Sequence, residues 1–297
     1  MESVDNLKGK KILVTGGSGF IGSHLVQTLK ESGASVESFD LKEGNDIFDR
    51  PRLREALQEV DIVFHLAAKV SVPESVVEPL ATHATNVSGT VVVLEESRLA
   101  GVSRVVYSGS CAVYGDEPTL PKNEDSKIAP LSPYALTKYL GEEYCRMYHS
   151  MYGLETVVLR YMNVIGPGQS PSGPYAAAVP IFIDRMQKGE PVTIYGDGGQ
   201  TRDFVYVGDV VEANLRAATT PGVAGETFLI ASGKETSIND VIATLEKVSG
   251  KTIEKHYEPA RPGDIVRSVG DSSKAKAKLN LSLSVSFEEA VQKTLSA

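Results

Sequence analysis

A tyrosine and a lysine four residues apart, Tyr134 and Lys138 in YALTK, have the types and spacing for proton chemistry. On a helix, positions i and i+4 share a face. An ammonium there favours phenolate and can draw a phenol from its ordinary pKa of about 10 toward neutral pH. Such a group can take the hydroxyl proton of an alcohol while hydride leaves the same carbon. The spacing alone describes a solvated helix face equally well, so the weight falls on what surrounds it. Upstream, YSGSCAVYG (107–115) follows the apolar run VSRVV (102–106) and reads as a strand tip opening into a loop of hydroxyls around one thiol. Cys111 as a covalent nucleophile would need a base to form thiolate, and no motif supplies one. His65 and His83 have nothing nearby that makes them bases or metal ligands, and read as structural.

The elements that must position these groups alternate. KILVT (11–15), ASVESFD (34–40), DIVFHLA (61–67), VSRVVYS (102–108) and TVVLRY (156–161) are strand-like runs. Between the first two, FIGSHLVQTLKES (20–32) spaces Ile21, Leu25 and Leu29 on one helix face, and a long helix spans about Pro133 to Tyr152. Strands alternating with helices predict an α/β fold, a Rossmann-type doubly wound parallel sheet. After Asn163 the texture changes. IGPGQSPSGPYAAAVP (165–180) is a long Gly- and Pro-rich loop; a helix at 181–189 and a strand at 192–196 follow, and Ser237 and Ser286 each begin a helix-starting box. The expected division is a cofactor-binding domain over 1–163 and, over 164–297, a smaller mixed α/β domain that mainly binds substrate, with some later segments returning to the first.

TGGSGFIG (15–22) lies directly between the first strand and the first helix. Gly17, Gly19 and Gly22 satisfy G-x-G-x-x-G, and Gly16, Gly19 and Gly22 the wider G-x-x-G-x-x-G; Phe20 and Ile21 open the helix. Glycines here permit a tight turn and close approach to a pyrophosphate, with helix amides facing the phosphates. Asp40 ends the second strand eighteen residues after Gly22. An acid there accepts bonds from the adenosine ribose and repels a 2′-phosphate, so the expected cofactor is NAD.

Composition narrows the partners. The 297 residues are 41% hydrophobic and 23% charged, with net charge −8, which gives no general basis for binding nucleic acid or an acidic membrane. The first residues show no apolar signal core, and the apolar runs are far too short to span a bilayer. Two cysteines form neither a disulfide framework nor a metal cluster, so no metal is expected, and the reading is cytoplasmic.

Taken together, TGGSGFIG, Asp40, the pair Asp46 and Ile47, HLAA (65–68), NVSGT (86–90), SGSCAVYG, YALTK, LRYMNVIGPGQ and GDGGQTRDFVYVGDV resemble the extended short-chain dehydrogenases/reductases. Within them the chain is similar to the NAD-dependent epimerase/dehydratase group that acts on nucleotide sugars, in order over roughly residues 10 to 275. The resemblance implies roles for matched positions. Asp46 and Ile47 would lie along the adenine, Ala67 and Ala68 along the pyrophosphate and ribose, with Asn86 and Ser108 also on the cofactor side. Lys138 would hold the nicotinamide ribose, Tyr134 would be the acid/base, and Ser110 would bond the reacting sugar hydroxyl. Gly109 departs from the serine common there, a change expected to matter little. Asn163, Arg202 and Arg261 would grip the diphosphate of a UDP-sugar, Tyr195 would stand beside the uracil, and Asp264 would take the nucleotide ribose. A homodimer through the helix bearing Tyr134 is also implied.

The same resemblance narrows the reaction. Members that dehydrate carry an Asp-Glu pair directly after the Ser/Thr, and decarboxylases carry a glutamate in that turn; here the positions are Cys111 and Ala112. Without a second acid, the simplest completion is return of the hydride to the other face of a 4-keto sugar, a 4-epimerisation. The residue four after the aspartate of RPGD is Ser268, small enough to imply room for an N-acetyl group. A sibling such as a UDP-glucuronate 4-epimerase or a sugar reductase would share every motif. A cofactor-sensing protein on this fold usually lacks the Tyr/Lys pair.

Overall fold

The computed structural model describes residues 7–171, 177–260 and 265–296. The first part alternates as β1 (Lys11–Thr15), α1 (Phe20–Glu31), β2 (Ser35–Phe39), α2 (Arg50–Ala56), β3 (Ile62–His65), α3 (Val72–Val77), α4 (Pro79–His83), α5 (Gly89–Ala100), β4 (Arg104–Ser110), α6 (Pro133–Tyr152) and β5 (Glu155–Tyr161). There follow β6 (Asn163–Ile165), α7 (Ala178–Lys188), β7 (Val192–Tyr195), β8 (Thr201–Arg202), β9 (Phe204–Tyr206), α8 (Val207–Thr219), β10 (Thr227–Ile230), β11 (Thr236–Ser237), α9 (Ile238–Ser249), β12 (Lys255–Glu258), α10 (Ser273–Leu279) and α11 (Phe287–Leu295).

Six strands form one parallel sheet in the order β10-β5-β4-β3-β1-β2. Successive side chains alternate between its faces. Ile12, Val14, Phe64 and Val106 enter one core with Leu25 and Leu29 of α1 and Val210 and Leu215 of α8. Leu13, Val63 and Val105 enter the other with Leu53, Val93, Leu94 and Cys145. Helices on both faces explain why the inner strands read as unbroken apolar runs. A third core joins α7, β7, α9 and α11 through Phe182, Ile194, Val241, Leu245 and Val291. Ser237 with Asp240, and Ser286 with Glu289, form the two capping boxes expected from the sequence.

The sheet gains a sixth strand that the sequence reading does not contain. Thr227 to Ile230 pair with Val158 to Tyr161, and Phe228 at that edge is fully buried. With α8 and α10, this later segment completes the core on the α1 face.

The order of strands reverses between β1 and β3, since β2 lies to one side of β1 and β3 to the other. A crevice opens outside the carboxyl ends of strands at such a point. The residues leaving β1 and β3 there are Gly16 and Leu66.

One tie between the first sheet and the C-terminal helices is pH-sensitive. Asp209, in the first turn of α8, is buried, which pushes its carboxyl up to about 6 against the opposing hydrogen bonds of the Val285 and Ser284 amides. The folded chain therefore holds this proton between the group's ordinary 3.8 and about 6, where the unfolded chain has released it. The contribution is fully present below that window and is lost as pH rises through it. Asp209→Asn should flatten this part of the stability–pH curve measured by chemical denaturation from pH 4 to 7; an unchanged slope would refute the assignment.

Candidate active site

The glycine loop closes against the loop after β3. Gly16 has φ +73°, and a Cβ there would lie 2.6 Å from the Ala67 amide nitrogen and 2.9 Å from its Cα. At Gly22 a Cβ would collide with the Gly16 carbonyl, so only hydrogen lets α1 start this close to the turn. Gly19 caps α1 without any side-chain acceptor. The first amides of the helix, at Phe20 and Ile21, are thus left for an anion. This cradle and donor set fit a dinucleotide pyrophosphate.

Asp40 stands at the end of β2, with its Oδ2 accepting from the Ser18 amide at 3.0 Å and its Oδ1 from the Lys42 amide at 2.8 Å. The carboxylate is fixed beside the loop, and each oxygen keeps a second acceptor site for a ribose hydroxyl. Asp46 is exposed, whereas Ile47 is buried in the core beneath it, so Ile47 can offer a ligand only its backbone.

One residue expected on the cofactor side is engaged elsewhere. Asn86 is 1% exposed; its Nδ2 donates to the Lys69 carbonyl at 2.9 Å and to Thr137 Oγ1 at 3.1 Å, and its Oδ1 accepts from the Lys69 amide at 2.8 Å. Both of its protons are used, so it acts as a brace to α6. The Ser108 side chain is half-buried beside the Tyr161 phenol, and its carbonyl accepts from Lys138. Amide and hydroxyl side chains serve backbone and ligand equally well, which residue type alone does not resolve.

His65 is structural, as its surroundings in the sequence imply. Thr90 Oγ1 donates to the Asn86 carbonyl at 2.6 Å, so toward His65 Nε2, 3.0 Å away, it can only accept. The imidazole therefore carries its proton on Nε2, and Nδ1 accepts from Thr15 Oγ1 at 2.7 Å. Thr15 in turn accepts from the Ala67 amide at 3.4 Å. Burial pushes this imidazole down to about 3, with the nearby Lys138 ammonium adding to the effect.

The start of α6 is set by Ser132, whose hydroxyl accepts from the Ala135 amide at 3.1 Å, and by Pro133 at the first helical position. Tyr134 is therefore in the first turn, its own amide donating to Ser75 Oγ at 3.1 Å. Its phenol lies beside Ser110, which favours the ionised form. Ser110 Oγ is held by the Ala112 amide at 3.2 Å, as the cap of a short turn over Cys111–Tyr114. The structure thus joins Tyr134 and Ser110 at the tip of β4, as expected.

The electrostatics differ from the expectation. Burial pushes the Tyr134 phenol up to about 12, opposed by Ser110 beside it. Lys138 Nζ donates to the Ser108 carbonyl at 2.8 Å and lies 5.2 Å from the centre of the Tyr107 ring, and burial pushes it down to about 8. The shared helix face holds, and the Lys138 ammonium on it donates to the strand tip. Gly109 also means more than a lost side chain: a Cβ there would lie 3.0 Å from Glu142 Oε1.

The surroundings of Cys111 disfavour thiolate. Burial pushes its thiol up to about 12, with the Asp203 carboxylate adding to this and Arg202 opposing it. Beyond it lie the expected substrate residues. Arg202 donates to the Ile265 carbonyl at 2.6 Å and the Thr201 carbonyl at 2.8 Å. Asn163 pairs with Phe204 across β6 and β9, and its amide donates to the Asp203 carbonyl at 3.0 Å. Tyr195 ends β7, farther out, and is half-buried. Ser268 is half-buried, on a segment tied to β8 by the Thr201 amide on the Val266 carbonyl at 2.9 Å. Arg261 and Asp264 lie outside the described residues.

Asp203 is a support the sequence reading does not contain. It is fully buried, with Oδ1 accepting from the Ser232 amide and hydroxyl at 2.8 and 2.6 Å, and Oδ2 from the amides of Gly233 and Gly270 at 3.0 and 3.1 Å. It joins the Arg202 strand to the ends of two other segments. Its position beside Arg202 in TRDF is the available signal. Among the described residues, no group of three or more His, Cys, Asp or Glu side chains could hold a metal ion.

The model of the NAD dependent epimerase/dehydratase family matches residues 12–231. The UDP-glucose 4-epimerase of Mycolicibacterium smegmatis is 37% identical, with 96% of this chain and 97% of that protein covered. Among solved structures, the UDP-glucose 4-epimerase of Thermotoga maritima with UDP-glucose is 39% identical, with a TM-score of 0.91 over 96% of this chain and 97% of that one. The UDP-N-acetylglucosamine 4-epimerase of Methanobrevibacter ruminantium M1, in complex with UDP-N-acetylmuramic acid, is 36% identical, with a TM-score of 0.92 over 97% and 98%. A glycine cradle for a dinucleotide, a tyrosine against a serine at the next crevice wall and these likenesses over the whole chain agree: it belongs to the NAD-dependent epimerase/dehydratase family, among the UDP-sugar 4-epimerases, which are isomerases.

Proposed function

We propose that the chain is an NAD-dependent 4-epimerase of UDP-hexoses, acting on UDP-glucose and UDP-galactose and on their N-acetyl counterparts. Residues 1–163 hold the cofactor, and 164–297 mainly hold the sugar nucleotide. The observation that carries this reading is the phenol of Tyr134 placed beside Ser110, in a turn whose next residues are Cys111 and Ala112. Held by the Gly16–Gly22 turn and Asp40, NAD would supply hydride acceptance and return at the sugar C4. As the phenolate, Tyr134 takes the C4 hydroxyl proton on its oxygen and, as the resulting phenol, returns it once the 4-keto sugar has presented its other face. Ser110 orients that hydroxyl through Oγ, itself fixed by the Ala112 amide. Burial favours the neutral phenol, so proton transfer requires a cation nearby; Lys138, one turn along α6, is the one this chain supplies. Cys111 is too weak an acid, and Ala112 no acid at all, to protonate a leaving hydroxyl. The sugar is therefore returned without loss of water.

Asn163, Tyr195, Arg202, Arg261 and Asp264 form the grip on the UDP moiety, since guanidinium forks meet phosphate oxygens bidentately even on an acidic protein. The half-buried Ser268 borders the C2 substituent and leaves room for an acetamido group. Both cysteines are free, in keeping with the reducing cytoplasm we infer as its setting.

A second copy of the chain is inferred to cover one apolar face. Val76, Val77 and Leu80, on α3 and α4, are 62%, 70% and 85% exposed, and Leu136 and Met151 on α6 are 47% and 65% exposed. These helices pack on one another, and exposed apolar side chains on adjoining helices suit a symmetric homodimer.

Incubating the protein with a panel of UDP-sugars and separating the products tests the substrate class; conversion of none of the UDP-hexoses would refute it. The purified protein should interconvert epimers without added cofactor, and Tyr134→Phe should cut turnover about 10²-fold or more while NAD stays bound. Near-normal turnover would sink the acid/base assignment. Ser268→Tyr should depress activity on N-acetyl substrates at least about tenfold more than on UDP-glucose, whereas equal loss on both would remove the gatekeeper role. Light scattering should give a dimer mass that Leu80→Asp converts to the monomer; an unchanged mass would place the interface elsewhere.

A further inference from the structure

The four-residue spacing from Tyr134 to Lys138 continues to Glu142. Lys138 is 3% exposed and Glu142 4%, so both lie out of water on neighbouring turns of one helix face. Arg160 of β5 grips the Glu142 carboxylate from behind, with Nε 3.0 Å from Oε2 and 3.2 Å from Oε1, and Nη2 2.7 Å from Oε2. The remaining Arg160 nitrogen donates to the Tyr114 hydroxyl at 3.0 Å and the Glu124 carbonyl at 3.3 Å. Room for this carboxylate comes from the strand tip itself. Gly109 faces Arg160 across the ladder, and a Cβ on it would crowd Glu142 Oε1, the Leu159 carbonyl at 3.1 Å and Val158 Cγ1 at 3.2 Å.

We propose that Glu142 is a positioning residue for the reaction at Tyr134: one turn along the same buried helix face, it is the anion that keeps the Lys138 ammonium charged. The proposal rests on the reading of Tyr134 and Lys138 given above. A buried ammonium without a counter-ion sheds its proton. The groups facing Lys138 are Tyr134, Glu142 and Cys145 on its own helix, Tyr107 and the Ser108 carbonyl on β4, and the neutral His65 on β3, with Arg160 of β5 behind Glu142. Burial pushes the phenols of Tyr107 and Tyr134 and the thiol of Cys145 up, so none of them brings negative charge. Burial pushes the Glu142 carboxyl up, with Arg160 and Lys138 opposing; the two-nitrogen grip of Arg160 on its oxygens is the pairing of an ionised carboxylate. Glu142 in turn is the largest influence holding Lys138 up against burial. A tyrosine, a lysine and a glutamate one turn apart, closed by an arginine, leave one net positive charge behind the phenol.

The test is the pH profile of epimerisation for the wild type, Glu142→Gln, Glu142→Asp and the double variant Glu142→Gln/Arg160→Gln. Thermal denaturation and extraction of bound NAD monitor the fold and the cofactor. The alkaline limb should move down by about one pH unit in Glu142→Gln. It should also move down in the double variant, which leaves no buried guanidinium without its carboxylate. Glu142→Asp, which keeps the charge, should hold the limb near its wild-type position. A folded Gln variant with the limb in place, or an Asp variant displaced as far as Gln, overturns the proposal. Tyr134→Phe, run alongside, separates the two levels: undiminished turnover there overturns the reading of Tyr134 itself.

Discussion

Where Gly16 meets Ala67, two backbones approach more closely than any side chain allows, and the rest of the site follows from that contact. It lies where the strand order reverses, so the loops leaving β1 and β3 line the two sides of a single crevice. With Gly22 lacking a side chain as well, α1 begins directly over the turn and delivers its amides to the crevice. The neighbouring strand β4 then ends in Ser110, and α6 lies across β4 and β5 with Tyr134 in its first turn. Pyrophosphate site and reacting hydroxyl are thus set by one sheet rather than by separate loops.

Around this crevice, buried polar groups are paired. Asn86 uses both amide protons, Asp203 collects four donors, and among the described residues only the Ser97 hydroxyl is a buried side-chain polar atom without a partner. Satisfied networks in a low dielectric specify one arrangement, because breaking any member strands the others. Asp203 extends this into the second half of the chain, tying the strand of Arg202 and the amide of Asn163 to the end of β10 and to Gly270. The grip expected for the nucleotide is thereby fastened to the sheet that carries Tyr134.

How much of this was legible in the sequence depends on whether the signal was local. The span of α6 from Pro133 to Tyr152 could be read directly, since Ser132, Pro133 and the left-handed Gly153 mark its ends. The glycine loop and Asp40 were equally plain, because spacing along one βαβ unit carries their geometry. β10 was not, since four residues, TFLI, acquire meaning only by pairing with a strand far back in the chain. Spacing put Lys138 on the face of Tyr134, but the direction of its ammonium is decided by the Ser108 carbonyl, which no periodicity reveals. Asn86 matched a cofactor-side position by resemblance, and its contacts with Lys69 and Thr137 occupy its side chain. Gly109 looked like a simple deletion because its neighbour, Glu142, is distant in sequence.

The line of hydrogen bonds from the Ala67 amide through Thr15, His65 and Thr90 to the Asn86 carbonyl runs in one direction only. Reversing any step would give two donors or two acceptors face to face. The imidazole is held neutral by burial down to about pH 3, so this spacer neither gains charge nor flips its polarity over the range in which Lys138 titrates. Although it stands beside the reacting groups, it is blind to acidity: the walls of the crevice keep their separation while protons move between them.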